Sequence, residues 1–117
     1  MTDRRLYHIT TSVEAEAGHV AGNYAPAAYQ GDGFIHCSYR HQLIATANRI
    51  FRGNADLVVL EIDRNKLDVK VIDENLEGGT ELFPHVYGRL PAEAIVGVHS
   101  LSADSRGLFN LPGSIGG

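Results

Sequence analysis

The sequence predicts an α+β domain, and two observations carry that reading. Short apolar runs with the two-residue alternation of strands occur about six times and become denser toward the C-terminus, while only two stretches, both in the first half, carry helical periodicity. Strands and helices are thus segregated along the chain instead of alternating as βαβ units. With 117 residues the chain is read as one domain, residues 1–101, followed by a glycine-rich stretch, 102–117, expected as a loose tail in which Leu108, Phe109 and Leu111 touch the body or a neighbouring chain.

Residues 6–9 form the first strand. Thr11 and Glu14 then stand at capping-box spacing, so a helix starts near Ser12; Val13, Ala17, Val20 and Ala21 share one face, and Gly22 supplies the left-handed stop. Residues 23–32, with Tyr24, Pro26, Tyr29 and Gly31, read as a recognition loop. Residues 34–37 make the next strand, and Ser38 is placed to cap a second helix whose face is Leu43, Ala47, Ile50 and Phe51 and which ends at Arg52-Gly53-Asn54. The run Leu57–Ile62 is apolar enough to be buried on both faces, which marks it as the central strand. After it come a strand at 69–72, a polar loop containing Gly78-Gly79, and a strand at 82–87 whose Pro84 argues for an edge or a bulge. One helical turn opened by Pro91 and a last strand at 95–101 complete the domain.

Composition narrows the functional classes. The apolar share is 44% and no apolar run approaches the roughly 18 residues of a membrane span. The N-terminal residues lack the apolar core of a secretory signal, so a cytoplasmic location is expected, in keeping with the single Cys37, which can form no internal disulfide. A net charge of −4, with basic residues scattered, argues against duplex nucleic acid but leaves room for a small nucleotide held by one or two arginines.

Three histidines carry the functional signal. His8, His36 and His85 each sit inside an apolar strand-like run, in Leu6-Tyr7-His8-Ile9-Thr10, Gly33-Phe34-Ile35-His36-Cys37-Ser38 and Phe83-Pro84-His85-Val86-Tyr87-Gly88. Strand parity puts Phe34 with His36 on one face, Ile35 with Cys37 on the other, and Phe83, His85 and Tyr87 together. An imidazole beside an aromatic ring suits a pocket that packs a flat group and bonds hydroxyls. Each histidine taken singly is equally explained by a bond to a core carbonyl. His8, His36, His85 and His99 with Glu61 could supply metal ligands, but no pair has the local spacing of a metal motif, so no metal ligand is assigned. Parity separates Cys37 from His36, which removes that pair as a nucleophile and base. Arg89 is the candidate for a phosphate contact at the cleft mouth.

Taken together, the Tyr-His-Ile-Thr run, Gly-Phe-Ile-His-Cys-Ser, Leu-Val-Val-Leu-Glu-Ile-Asp and Phe-Pro-His-Val-Tyr-Gly resemble a small bacterial and plant family of unknown function over residues 5–101. That resemblance implies an ADP-ribosyltransferase-like fold, a split pair of antiparallel β-sheets with about two flanking helices. More distantly, Leu6 to Thr10 resembles the Leu-Tyr-His-Gly-Thr strand of RNA phosphotransferases that act on a 2′-phosphate, and Phe34 to Ser38 resembles their His-Val-His-Leu-Ser strand. Those strands hold NAD, which nominates His8, Thr10, His36 and Ser38; His85 and Tyr87 have no counterpart there and belong to the small family's own motif. Adding Phe34, Tyr87 and Arg89 from the reading of the residues gives the expected cofactor-binding set, with His36 and His85 as the catalytic pair. Two departures stand out: Ile9 replaces a glycine, and none of Glu61, Glu81 or Glu93 matches the catalytic glutamate of ADP-ribosyltransferases. The expected function is binding of NAD or a related nucleotide in a His-lined cleft, with ADP-ribosyl-type transfer as its chemistry. The alternatives are a non-enzymatic nucleotide-binding module and a His-rich metal-dependent enzyme.

Overall fold

The computed structural model describes residues 5–75 and 79–115; Gly78 of the expected polar loop and the last two glycines of the expected tail lie outside the described residues. In chain order the elements are β1 (Leu6–Thr11), α1 (Ser12–Ala21), β2 (Asn23–Tyr24), α2 (Tyr29–Asp32), β3 (Ile35–His36), α3 (Arg40–Ile50), β4 (Leu57–Ile62), β5 (Lys70–Glu74), β6 (Phe83–Tyr87), β7 (Leu90–Pro91) and β8 (Ile95–Leu101), with 3₁₀ turns at Arg64–Lys66 and Ala92–Ala94. They form an α+β architecture of antiparallel sheets ordered β1-β4-β8, β3-β6-β5 and β2-β7. No helix among the described residues is long and apolar enough to cross a membrane.

β4 is the middle strand of the first sheet, as its unbroken apolar run requires. Val58, Leu60 and Ile62 point to one face, where they meet Ile35, Cys37 and Val86 of the β3-β6-β5 sheet together with Tyr24 and Leu90. Leu57 and Val59 point to the other, where Leu43 and Ala47 of α3 cover them with Phe109 and Ile115. The sheet is thus the wall between two cores. β1 runs along its outer edge in antiparallel register, Leu6 opposite Ile62 and Thr11 opposite Leu57.

The start and stop of α1 follow the sequence: the Thr11 hydroxyl accepts the Glu14 N–H at 3.1 Å, and Gly22 closes the helix at φ 83°. Its expected apolar face is turned outward, however, with Val13 and Val20 76% and 77% exposed. The side that packs is Ala15 and Gly18, laid against Tyr24 so closely that a Cβ on Gly18 would sit 2.8 Å from the tyrosine Cβ. A contact made through a missing side chain leaves no hydrophobic periodicity to read. α3 begins later than expected. Tyr39 is its N-cap, with its N–H bonded by Gln42 Oε1 at 2.9 Å, while Ser38 exchanges two backbone bonds with Tyr7 (2.9 and 2.7 Å) and ties β1 to the segment after β3. Leu43 and Ala47 are buried as expected, but Ile50 is 52% exposed.

Three further expectations are revised. Residues 23–32 are not all loop, since they hold β2 and the single turn α2. Pro84 lies in the middle strand of its sheet and not at an edge or bulge. It is tolerated because it stands where β3 has run out: Cys37 N–H donates to the Pro84 carbonyl at 3.1 Å, and the bond that proline cannot return is the one the departing chain gives up. In the segment after Leu101, Phe109 and Leu111 reach the body as expected, but the segment they belong to is packed and not loose. Phe109 and Ile115 are each 2% exposed, and the Asn48 side chain grips the Phe109 backbone at both its N–H (2.8 Å) and its carbonyl (3.1 Å).

Candidate functional site

The β3–β6 pairing sets His36 directly opposite His85 and Ile35 opposite Val86. Parity then works as expected: Ile35 and Cys37 enter the core, while Phe34, His36, His85 and Tyr87 share the other face. Phe34 stacks on His85 with centroids 4.2 Å apart and an interplanar angle of 21°, and the His36 ring meets His85 edge-on at 5.2 Å. Glu74, two positions along β5 from the residue opposite His85, reaches back across the sheet. Its Oε1 accepts from His85 Nδ1 at 2.9 Å and from the Tyr87 hydroxyl at 2.5 Å. These bonds, the tyrosine's first, hold the Glu74 carboxyl below its usual range and raise the Tyr87 hydroxyl above its own. With its Nδ1 proton fixed on Glu74, His85 keeps Nε2 free of protein partners among the described residues.

His8 is held differently. Its Nδ1 lies 2.6 Å from the His36 carbonyl, which can only accept, so Nδ1 carries the proton; Nε2 therefore accepts the Tyr24 hydroxyl at 2.8 Å. The ring is neutral, and burial lowers its pKa from 6.5 to about 4. Both nitrogens are engaged, so the hydroxyl-binding role expected for His8 is not open to it in this state. It ties the first sheet to β3.

A cavity of 420 Å³ runs along the outer edge of β1. At one end Tyr7 is bridged to Ser38; at the other Thr11 pairs with Leu57, close to the loop that follows α3. Because Tyr7 directs its N–H and carbonyl outward to Ser38, strand alternation directs those of Ile9 outward as well, onto the cavity wall. Also on the cavity wall is Glu14, whose Oε1 accepts from the Thr10 hydroxyl at 2.7 Å and whose Oε2 accepts from the Ala27 N–H at 3.3 Å. Asp32, the last residue of α2, accepts from His36 Nε2 at 3.1 Å. Gly33, at φ 79°, turns the chain from α2 into β3 and so sets these two groups side by side.

His8, Thr10, His36, Ser38 and His85 all line this cavity, so the three imidazoles converge. Phe34 and Tyr87 stand behind His85 instead of on the wall. Arg89 is elsewhere, its Nε bonded to the Asn23 side chain, and Arg49 of α3 is the guanidinium on the cavity wall. Among the described residues no three His, Cys, Asp or Glu side chains gather as a metal cluster, and His99 lies apart, bonded to Glu61 (2.8 Å) and Ser114 (2.7 Å). Sequence reading treated Glu14 as a capping residue and passed over Asp32 and Arg49. The signal available for Glu14 was its position one turn after Thr10, which brings a residue at a strand end and one in the first helical turn together.

The model of the family described as a protein of unknown function, DUF952, matches residues 9–98. No curated protein matches the chain. Among solved structures, the crystal structure of protein CC0527 from Caulobacter crescentus is 32% identical over 92% of this chain and 94% of that one, with a TM-score of 0.81. The solution NMR structure of the same bacterial protein is 34% identical over 92% of each chain, with a TM-score of 0.77.

Proposed function

The chain belongs to the DUF952 family, and from that footing we propose that it binds NAD or a related nucleotide in the cleft along β1, with transfer from the nicotinamide ribose carbon as its chemistry. The β1-β4-β8 and β3-β6-β5 sheets are read here as the split antiparallel pair of an ADP-ribosyltransferase-like fold. The observation that carries the proposal is the open edge of β1 inside a cavity walled by imidazoles and a fixed carboxylate. The adjacent N–H and carbonyl of Ile9 match the donor and acceptor of a carboxamide or a base edge. The cavity's 420 Å³ falls within the roughly 300–1,000 Å³ of small-molecule sites.

Each group then has a task. Glu14, held at both oxygens, presents a preorganised negative charge to a sugar carbon that gains positive charge as its leaving group departs. His85, polarised by Glu74, offers Nε2 as acid or base, and His36 with Ser38 meets ribose hydroxyls or a phosphate. His8 positions β3 instead of touching ligand.

The engagement of both His8 nitrogens and the side chain of Ile9 favour a second reading, a module that binds nucleotide without turnover. Thermal denaturation with increasing NAD, combined with chromatography of released nicotinamide, separates the two. A rising melting temperature with nicotinamide release that stops in Glu14→Gln is the expected result. Saturable binding without release selects the module, and no binding of NAD or AMP overturns both.

A further inference from the structure

Near the Tyr7–Ser38 bridge stand His36, Asp32 and His85; toward Thr11 and Leu57 stand Arg49 and Asn54, with the Glu14 carboxylate beside Thr10 in the same half of the strand. α3 runs from the bridge end to the far end, since Tyr39 follows Ser38 and the loop after Ile50 leads to Leu57. At the ordinary rise of a strand, Tyr7 and Thr11 lie about 13 Å apart.

Arg49 is the single cationic side chain on the cavity wall besides the histidines, and among the described residues it has no hydrogen-bond or ion-pair partner. Arg5, Arg64, Arg89 and Arg106 are bonded, to Glu61, Tyr39, Asn23 and Asp104, while Arg40 and Arg52 are unpartnered like Arg49 among the described residues but do not line the cavity. Carboxylates are not scarce, with 14 acidic residues against 10 basic. The two carboxylates of the same cavity are engaged elsewhere, Glu14 with Thr10 and Ala27, Asp32 with His36. The macrodipole of α3 favours a cation in its last turn, but it does not require that cation to line a cavity. A planar guanidinium left open on a cavity wall matches the paired oxygens of a phosphate.

We infer that the α3 end of the cleft is a phosphate subsite formed by Arg49 and the Asn54 amide, which orients a nucleotide with its phosphate toward α3 and its other end toward His36 and His85. This rests on the nucleotide reading of the cleft and replaces Arg89 with Arg49 as the anion contact.

Calorimetric titration of wild type, Arg49→Gln and Arg49→Lys with AMP and with adenosine tests it. Wild type should bind AMP roughly ten- to a hundredfold more tightly than adenosine. In Arg49→Gln that preference should vanish with adenosine affinity unchanged, and Arg49→Lys should restore part of it. A preference that survives Arg49→Gln, or none in wild type, overturns the subsite while leaving nucleotide binding intact. If neither compound binds wild type the nucleotide reading falls, and the subsite then stands or falls with the Arg49 side-chain NMR resonance: a shift with inorganic phosphate keeps it, and no shift overturns it.

Discussion

Of the three cleft histidines, His8 has the most constrained proton. An unfolded chain would take up a proton near pH 6.5, whereas the folded ring resists it until about pH 4, because the buried imidazole has already committed Nδ1 to a carbonyl and Nε2 to Tyr24. The unfolded state therefore binds more protons across that window, and stability is full above pH 6.5 and falls as the pH drops toward 4. A shift of this size corresponds to about 3 kcal/mol. Urea unfolding of wild type and His8→Asn should show the variant less stable at neutral pH, with the gap narrowing by about that amount by pH 4; parallel curves would contradict the neutral, doubly bonded ring. The Glu74 carboxylate has the opposite influence on its neighbour. It raises the Tyr87 hydroxyl by accepting its hydrogen bond, so Glu74→Gln should bring the Tyr87 titration, followed by NMR of labelled tyrosine rings, back toward 10.0. An unchanged Tyr87 midpoint would mean that the bond is not made in solution.

At the scale of elements, the largest revision to the sequence reading concerns α1, whose contact leaves no apolar pattern. α1 packs through Gly18, where an added methyl would overlap Tyr24, so Gly18→Ala should destabilise the fold by about 1–3 kcal/mol, while Val20→Thr on the outward face should stay within about 0.5 kcal/mol. Denaturant midpoints reversed in order would restore the valine face as the buried one. The segment after Leu101 is fastened by Asn48 and by the insertion of Phe109, so Phe109→Ala should cost about 3–5 kcal/mol, whereas a loose tail would lose nothing. Legible in the sequence were the features set by local chemistry: the Thr11 cap, the Gly22 stop, the bounds of β4 and β8, and the parity that gathers Phe34, His36 and His85. Illegible were those set by partners distant in the chain. Asn48 and Gln42 read as ordinary helical polar residues until Phe109 and Leu82 lie beside them, and Arg49 differs from Arg89 only by the wall it faces.

For the molecule as a whole, the cleft exists because the central sheet is closed on one side and left open on the other. β4 is paired on both flanks and buried on both faces, so its amides should exchange only by global unfolding. β1 is paired with β4 on one flank only; past the Tyr7–Ser38 bridge its outer flank is the cavity. Leu6, His8 and Thr10 direct their amides toward β4, and Ile9 directs its amide toward the ligand space, so alternation along a single strand separates structural from recognition hydrogen bonds. Native-state hydrogen exchange should therefore show Ile9 exchanging far faster than His8 and Thr10 on either side of it. Addition of AMP or NAD should slow Ile9 selectively, because a ligand that bonds the open edge takes up that N–H. At 100 times its dissociation constant the ligand also adds about 2.7 kcal/mol to global stability, which should slow the β4 amides together and by a common factor. The two effects are separable: uniform slowing of the core with Ile9 unchanged would place the ligand in the molecule but off the β1 edge, and would remove the backbone pair of Ile9 from the recognition surface.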